Sequence, residues 1–151
     1  MEIFVSKCVL LRLCEMVDLE NLSVGKILPE LVRGPVSRST LALFAGGSHD
    51  HVLLHIDSDF AKAAGMDDVF GHGMLSMAYL AQAIKSWVPQ DRLRRWSVRF
   101  TAITPLNAEV YCRGTVIEVL EENGERLAKL KIETWTDKKV QTLDGEAFVA
   151  V

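Results

Sequence analysis

A chain of 151 residues, 49% of them hydrophobic and 25% charged, has room for one globular core and not for two. A formal net charge of −3 excludes general attraction to nucleic acid or to an anionic membrane, so polyanion binding would need a local basic patch. Cys8, Cys14 and Cys112 are odd in number and form no C-x-x-C spacing, which argues against a disulfide framework and a structural zinc site and suits a reducing cytoplasm.

In chain order, MEIFVSKCVLLRLCEM opens with an apolar run that Arg12 interrupts. It is too short to span a bilayer and has no small-residue cleavage site, so residues 1–17 are expected to form a peripheral extension, with Met16 as an alternative start and one domain over 18–151. From Val24 to Val36, Gly and Pro punctuate short apolar pieces, the pattern of an irregular edge strand. Ser37 can cap a helix carrying Leu41, Leu43 and Phe44, with Gly46-Gly47 as its stop. That places SHDHVLLHID, Ser48 to Asp57, in a post-helix loop. Asp57 to Gly65 reads as a short helix with an acidic start and a glycine end.

The strongest helical signal runs from His72 to Val88, where Met74, Met77, Ala78, Ala81, Ile84 and Val88 follow steps of three and four and Pro89 marks the exit. Lys85 is the one charge between Met74 and Val88. The helix is therefore expected to be buried nearly all round, as one wrapped by a sheet would be, with packing on one side of an ordinary core as the alternative. After Pro89 the period falls to two. Trp96, Val98 and Phe100 alternate with polar residues, AEVYCRGTVIEVL continues as a strand, and Asn123-Gly124 makes a hairpin into the alternation Ala128, Leu130, Ile132. Asp137-Lys138-Lys139 turns again before AFVAV. Helix first, then an antiparallel meander, is an α+β pattern whose sheet needs the apolar helix as cover.

The density of SHDHVLLHID admits three readings. His49, His51 and His55, with His72 as a fourth ligand, could hold a transition metal, although no histidine follows residue 73 to complete a distant ligand set. Asp50 and His55 could form an acid–base pair, the carboxylate orienting a water and the imidazole moving a proton near neutral pH. A solvated loop with Asp50 as a local cap needs no chemistry at all.

Three segments together, FAGGSHDHVLLHIDSDFAKAAG, VFGHGMLSMAYLAQ and WSVRFTAITPL, resemble the MaoC-like dehydratase family, which includes (R)-specific enoyl-CoA hydratases and (3R)-hydroxyacyl-ACP dehydratases. The likeness runs from about Val24 to the C-terminus. It implies a single hot-dog domain, a long central helix wrapped by an antiparallel sheet, and an edge-to-edge dimer with the thioester tunnel at its interface; a heterodimer is the variant. The family loop, approximately S-G-D-x-N-P-x-H, puts its catalytic aspartate and histidine on Asp50 and His55, and departs from this chain at His49, Val52 and Leu53.

The implied reaction is reversible hydration of a trans-2-enoyl thioester of CoA or acyl carrier protein to the (3R)-3-hydroxyacyl form, with no cofactor and no metal. Gly73, at the start of the long helix, is the expected oxyanion and thioester-binding position, with packing as its structural alternative. His72 is assigned to structure. Arg92, Arg94, Arg95 and Arg99 offer a basic cluster for a CoA phosphate or an acidic carrier, or else a solvated strand edge. Two other functions fit the same fold: a non-catalytic subunit of a heterodimeric dehydratase, and a hot-dog acyl thioesterase.

Overall fold

Among the described residues, regular structure begins with β1 (Leu31–Arg33), a short edge strand. The computed structural model describes residues 17–19 and 21–151, so the expected extension over residues 1–17, apart from Val17, lies outside the described residues, with Cys8, Cys14 and Met16. Ser37 caps α1 (Arg38–Ser48), its Oγ accepting the Thr40 N–H at 3.1 Å. The helix runs through Gly46-Gly47 instead of stopping there. The residue that leaves it is His49, at φ 59° in the left-handed region that a helix end demands.

Asp57 caps α2 (Ser58–Ala63), accepting the N–H groups of Asp59 and Phe60. Then follow β2 (Phe70–Gly71), α3 (Gly73–Trp87), β3 (Leu93–Phe100), β4 (Thr104–Pro105), β5 (Val110–Glu122), β6 (Glu125–Thr136) and β7 (Gln141–Ala150). Asn123 and Gly124, both at positive φ, make the tight turn between β5 and β6. The last strand is longer than AFVAV because Thr142 and Leu143 already belong to its buried side.

Only β5, β6 and β7 form the expected meander. The sheet order is β1-β5-β6-β7-β3, antiparallel throughout, so β3 lies on the far side of β7 from β6. Between β3 and β5 the chain pairs instead with the strand ahead of α3, Phe70 opposite Pro105 and Gly71 opposite Thr104. This small β2–β4 ladder carries the connection past the N-terminal end of the helix.

The sheet wraps α3, as the hot-dog expectation requires. Leu75, Leu80, Ala83, Ile84 and Trp87 are its buried apolar residues, against Val110, Cys112, Val116, Leu130, Ile132, Leu143 and Ala147. Removing a side chain such as Leu80 or Ile84 from water contributes about 1.5–3 kcal/mol each. Trp87 fixes the seat: its Nε1–H donates to the Pro29 carbonyl at 2.7 Å, and its ring fills the space where a Cβ on Gly114 would stand.

Burial all round is not observed, and the face is rotated from the expected one. Met74, Met77, Ala78 and Ala81 line an open cleft, with Met77 also touching the core. A helix apolar on every side gives periodicity no polar stripe from which to read its rotation, and the bulk of Leu80, Ile84 and Trp87 takes the sheet side.

Candidate active site

After α1 the chain needs only a few residues to bring Asp50 back toward the start of α3. Ser48 Oγ donates to the Phe44 carbonyl at 2.7 Å and accepts the Asp50 N–H at 3.3 Å, closing the helix end. The Val52 N–H points at Asp50 Oδ1 at 3.4 Å, a loose side-chain turn. A single 3₁₀ turn, Leu53–His55, then delivers His55 to the β2–α3 corner. Leu54 packs on the core, whereas Val52 and Leu53 are half-exposed, so of the three only Leu54 ties this loop to the interior.

Asp50, His55 and His72 converge, one ligand-type atom from each lying within 4.8 Å of the others. His55 Nδ1 lies 2.8 Å from the Phe70 carbonyl oxygen. A carbonyl only accepts, so Nδ1 carries the proton and the neutral ring keeps its lone pair on Nε2. His72 Nε2 lies 3.2 Å from the Asp50 main-chain oxygen, which by the same argument makes Nε2 its protonated nitrogen. The two imidazoles stack at 4.0 Å between centroids and 29° between planes. Burial, and then the charge of His55, holds the His72 imidazole below its ordinary range, against a smaller opposing pull from Asp50.

His49 and His51 are exposed, their rings 6.0 Å apart, and neither joins the cluster. The H-x-H-x-x-x-H series is therefore not a ligand set in the fold. Among the described residues, Asp50, His55 and His72 are the metal-ligating types whose atoms lie together. His72, assigned to structure from the sequence, belongs to this group. The signal that would have found it is the way β2 ends beside the 3₁₀ turn, which no spacing along the chain reveals.

Two cavities border the first turn of α3, on different sides of it. One, of about 420 Å³, is lined by Asp50, Phe44, Met74, Met77, Ala81 and Trp96 and is mostly apolar. The other, of about 320 Å³, is bordered by Gly73, Ser76, Phe100, Ile103, Thr104 and Leu143. The first N–H groups of α3 have no intrahelical acceptors and stand at the positive end of its dipole. The space left by the missing Cβ of Gly73 is taken by the Phe100 ring, whose carbons lie 2.9 and 3.0 Å from where that Cβ would be.

The arginines do not form a free basic patch. Arg94 pairs with Glu125 and Arg95 with Glu122, at the β5–β6 hairpin end, and Arg99 with Asp144 on the neighbouring β7. The Cys112 thiol is buried and pushed up to about 12, which removes it as a nucleophile near neutral pH.

Comparison with known proteins gives the same architecture. The (R)-hydratase PhaJ1 of Pseudomonas aeruginosa, in unliganded form, is 26% identical with a TM-score of 0.75, over 86% of this chain and 82% of that one. An (R)-hydratase of A. caviae involved in PHA biosynthesis is 24% identical, TM-score 0.76, over 86% and 97%. The ChsH1–ChsH2 complex of Mycobacterium tuberculosis gives a TM-score of 0.73 at 18% identity, over 85% and 98%. No curated protein sequence matches significantly. Residues 25–139 match the family model of the MaoC-like domain, a span that holds Asp50, His55, His72 and Gly73, and the chain belongs to that family.

Proposed function

We propose that this protein catalyses reversible addition of water to a trans-2-enoyl thioester of CoA or acyl carrier protein, giving the (3R)-3-hydroxyacyl form. Family membership and the (R)-hydratase structures support hydro-lyase activity. The observation that carries the finer reading is the meeting of Asp50 and His55 beside an apolar cleft and the open end of a helix.

Hydration bonds the water oxygen to C3 and places a proton on C2, while the thioester oxygen passes through an enolate-like state. Asp50 and His55 hold the water between them. The lone pair on His55 Nε2 and the Asp50 carboxylate are the two groups able to take its proton and return one to C2. The main-chain N–H groups at Gly73 and Met74 meet the developing oxyanion, a contribution that grows as water is excluded. The acyl chain lies along Ala81, Met74 and Met77, and the two unbranched methionine side chains adapt to its shape. The carrier arm takes the cavity at Phe100 and Thr104. Two copies join along the β3 edge and close both cavities.

The test is a crotonyl-CoA assay in the presence of a chelator, following enoyl absorbance and free thiol together. Loss of absorbance without thiol is expected. Thiol release would select the thioesterase instead, and no change in either signal at high enzyme concentration would select a non-catalytic subunit.

A further inference from the structure

Resting on the acid–base reading above, we propose that His72 is the positioning residue of the site, a neutral Nε2–H donor that holds the Asp50 main chain and the His55 ring in one geometry. It is fully buried, at 0% exposure. It touches both members of the pair: Nε2 reaches the Asp50 carbonyl at 3.2 Å, and the ring lies against His55 at 4.0 Å. Phe44 packs on it at 5.0 Å, so the imidazole is held between α1 and the 3₁₀ turn. The other bonds of Asp50, donated by its N–H to Ser48 Oγ and accepted by its Oδ1 from the Val52 N–H, are 3.3 and 3.4 Å long and local to the loop. The bond from His72 is the one that reaches across the fold.

A histidine chosen only to begin the helix would use its side chain as a cap, and His72 makes no side-chain cap bond to α3. One chosen only for packing would not leave a buried nitrogen without a partner, as Nδ1 is left here. The polar ring is explained by the single bond it makes and by the charge it does not carry. Asp50 and His55 are the charged or titratable groups whose charges bear on it, and a cation stacked on His55 would oppose protonation of the working imidazole.

The experiment compares wild type, His72→Phe and His72→Gln in crotonyl-CoA hydration, with imidazole ¹⁵N spectra of the wild type. His72→Phe keeps an aromatic ring but not the donor, and turnover is expected to fall about 10- to 100-fold with KM nearly unchanged, the signature of misplacement in the transition state. His72→Gln places an amide N–H where Nε2 stood and is expected to recover most of that loss. The spectra should show His72 neutral, protonated at Nε2 and bare at Nδ1, across neutral pH.

Wild-type turnover in His72→Phe, equal loss in the Gln and Phe variants, or a proton on Nδ1 would each overturn the proposal. Should His72→Phe fail to fold, Gln is set against His72→Asn, whose amide is too short to reach; equal turnover then overturns it. Asp50→Asn run alongside separates the two claims. If that variant is inactive while the His72 variants are normal, only the positioning role falls; if it remains active, the acid–base reading falls and this inference with it.

Discussion

At Asp50 and His55 the fold brings a carboxylate beside an imidazole, whose ring nitrogens can both donate and accept a proton. Asp50→Asn and His55→Ala should each lower turnover by roughly 10²- to 10⁴-fold while the thermal unfolding transition stays cooperative, read by hydration progress curves beside circular-dichroism melts. His72 adds a pH dependence to stability. Its folded value lies below the ordinary 6.5, so in the window beneath 6.5 the unfolded chain binds more protons and stability falls as pH falls. That stability is fully present above 6.5 and is lost as pH drops through the folded value. Thermal midpoints measured from neutral pH downward should decline in wild type and decline less in His72→Gln. Asp68, Glu125 and Asp144, held low by hydrogen bonds that favour their charged forms, act only further into acid.

The 3₁₀ turn decides how the family's Asn-Pro can be absent. Val52 has φ −60° and ψ 125°, the extended conformation a residue before proline prefers, and Leu53 opens the turn, where proline's fixed φ fits. Val52→Asn with Leu53→Pro should therefore leave the melt intact and change hydration by no more than about tenfold, near 1.4 kcal/mol of barrier. A gain of several orders of magnitude would mark a crippled loop, and complete loss a different loop path.

Much at this scale is legible beforehand. The Ser37 and Asp57 caps, the helix from His72 and the Asn123-Gly124 turn follow from local chemistry that acts over four residues. The rotation of α3 is not legible, because its apolar residues surround it. Nor is His72, whose partners Asp50 and His55 reach it through β2, a strand of two residues with no pattern to read. Asp50 and His55 were legible only through resemblance; the residues alone left a metal nest and a solvated loop open.

Over the whole molecule, the pairing of Arg94, Arg95 and Arg99 offsets much of the positive charge of that cluster and weakens it as a landing site for an acidic carrier. The β3 edge has hydrogen-bonding groups on its outer side that no described strand takes up, with Trp96 beside the apolar cleft. Pairing of two such edges, as proposed above, would continue the sheet beside the cleft. Light scattering in dilute solution should give twice the chain mass, and a stable, active monomer would defeat the assembly.

The strand order also sets a timetable. Asp50, His55, His72 and Gly73 all precede the helix body, yet β7, bonded to both β6 and β3, comes last. On a ribosome adding about 5–20 residues per second, α3 emerges several seconds before the strand that completes its cover. For that interval the cover over the helix is incomplete, and β3 has no partner strand to hold it in the sheet. Cutting the chain after Val140 keeps Asp50, His55, His72 and Gly73 and removes the keystone between two strands. Such a fragment should be found in the insoluble fraction, with none of it eluting from gel filtration as a folded species. The strand Gln141–Ala150, far along the chain from Asp50 and His55, thus governs whether newly made chain becomes protein at all.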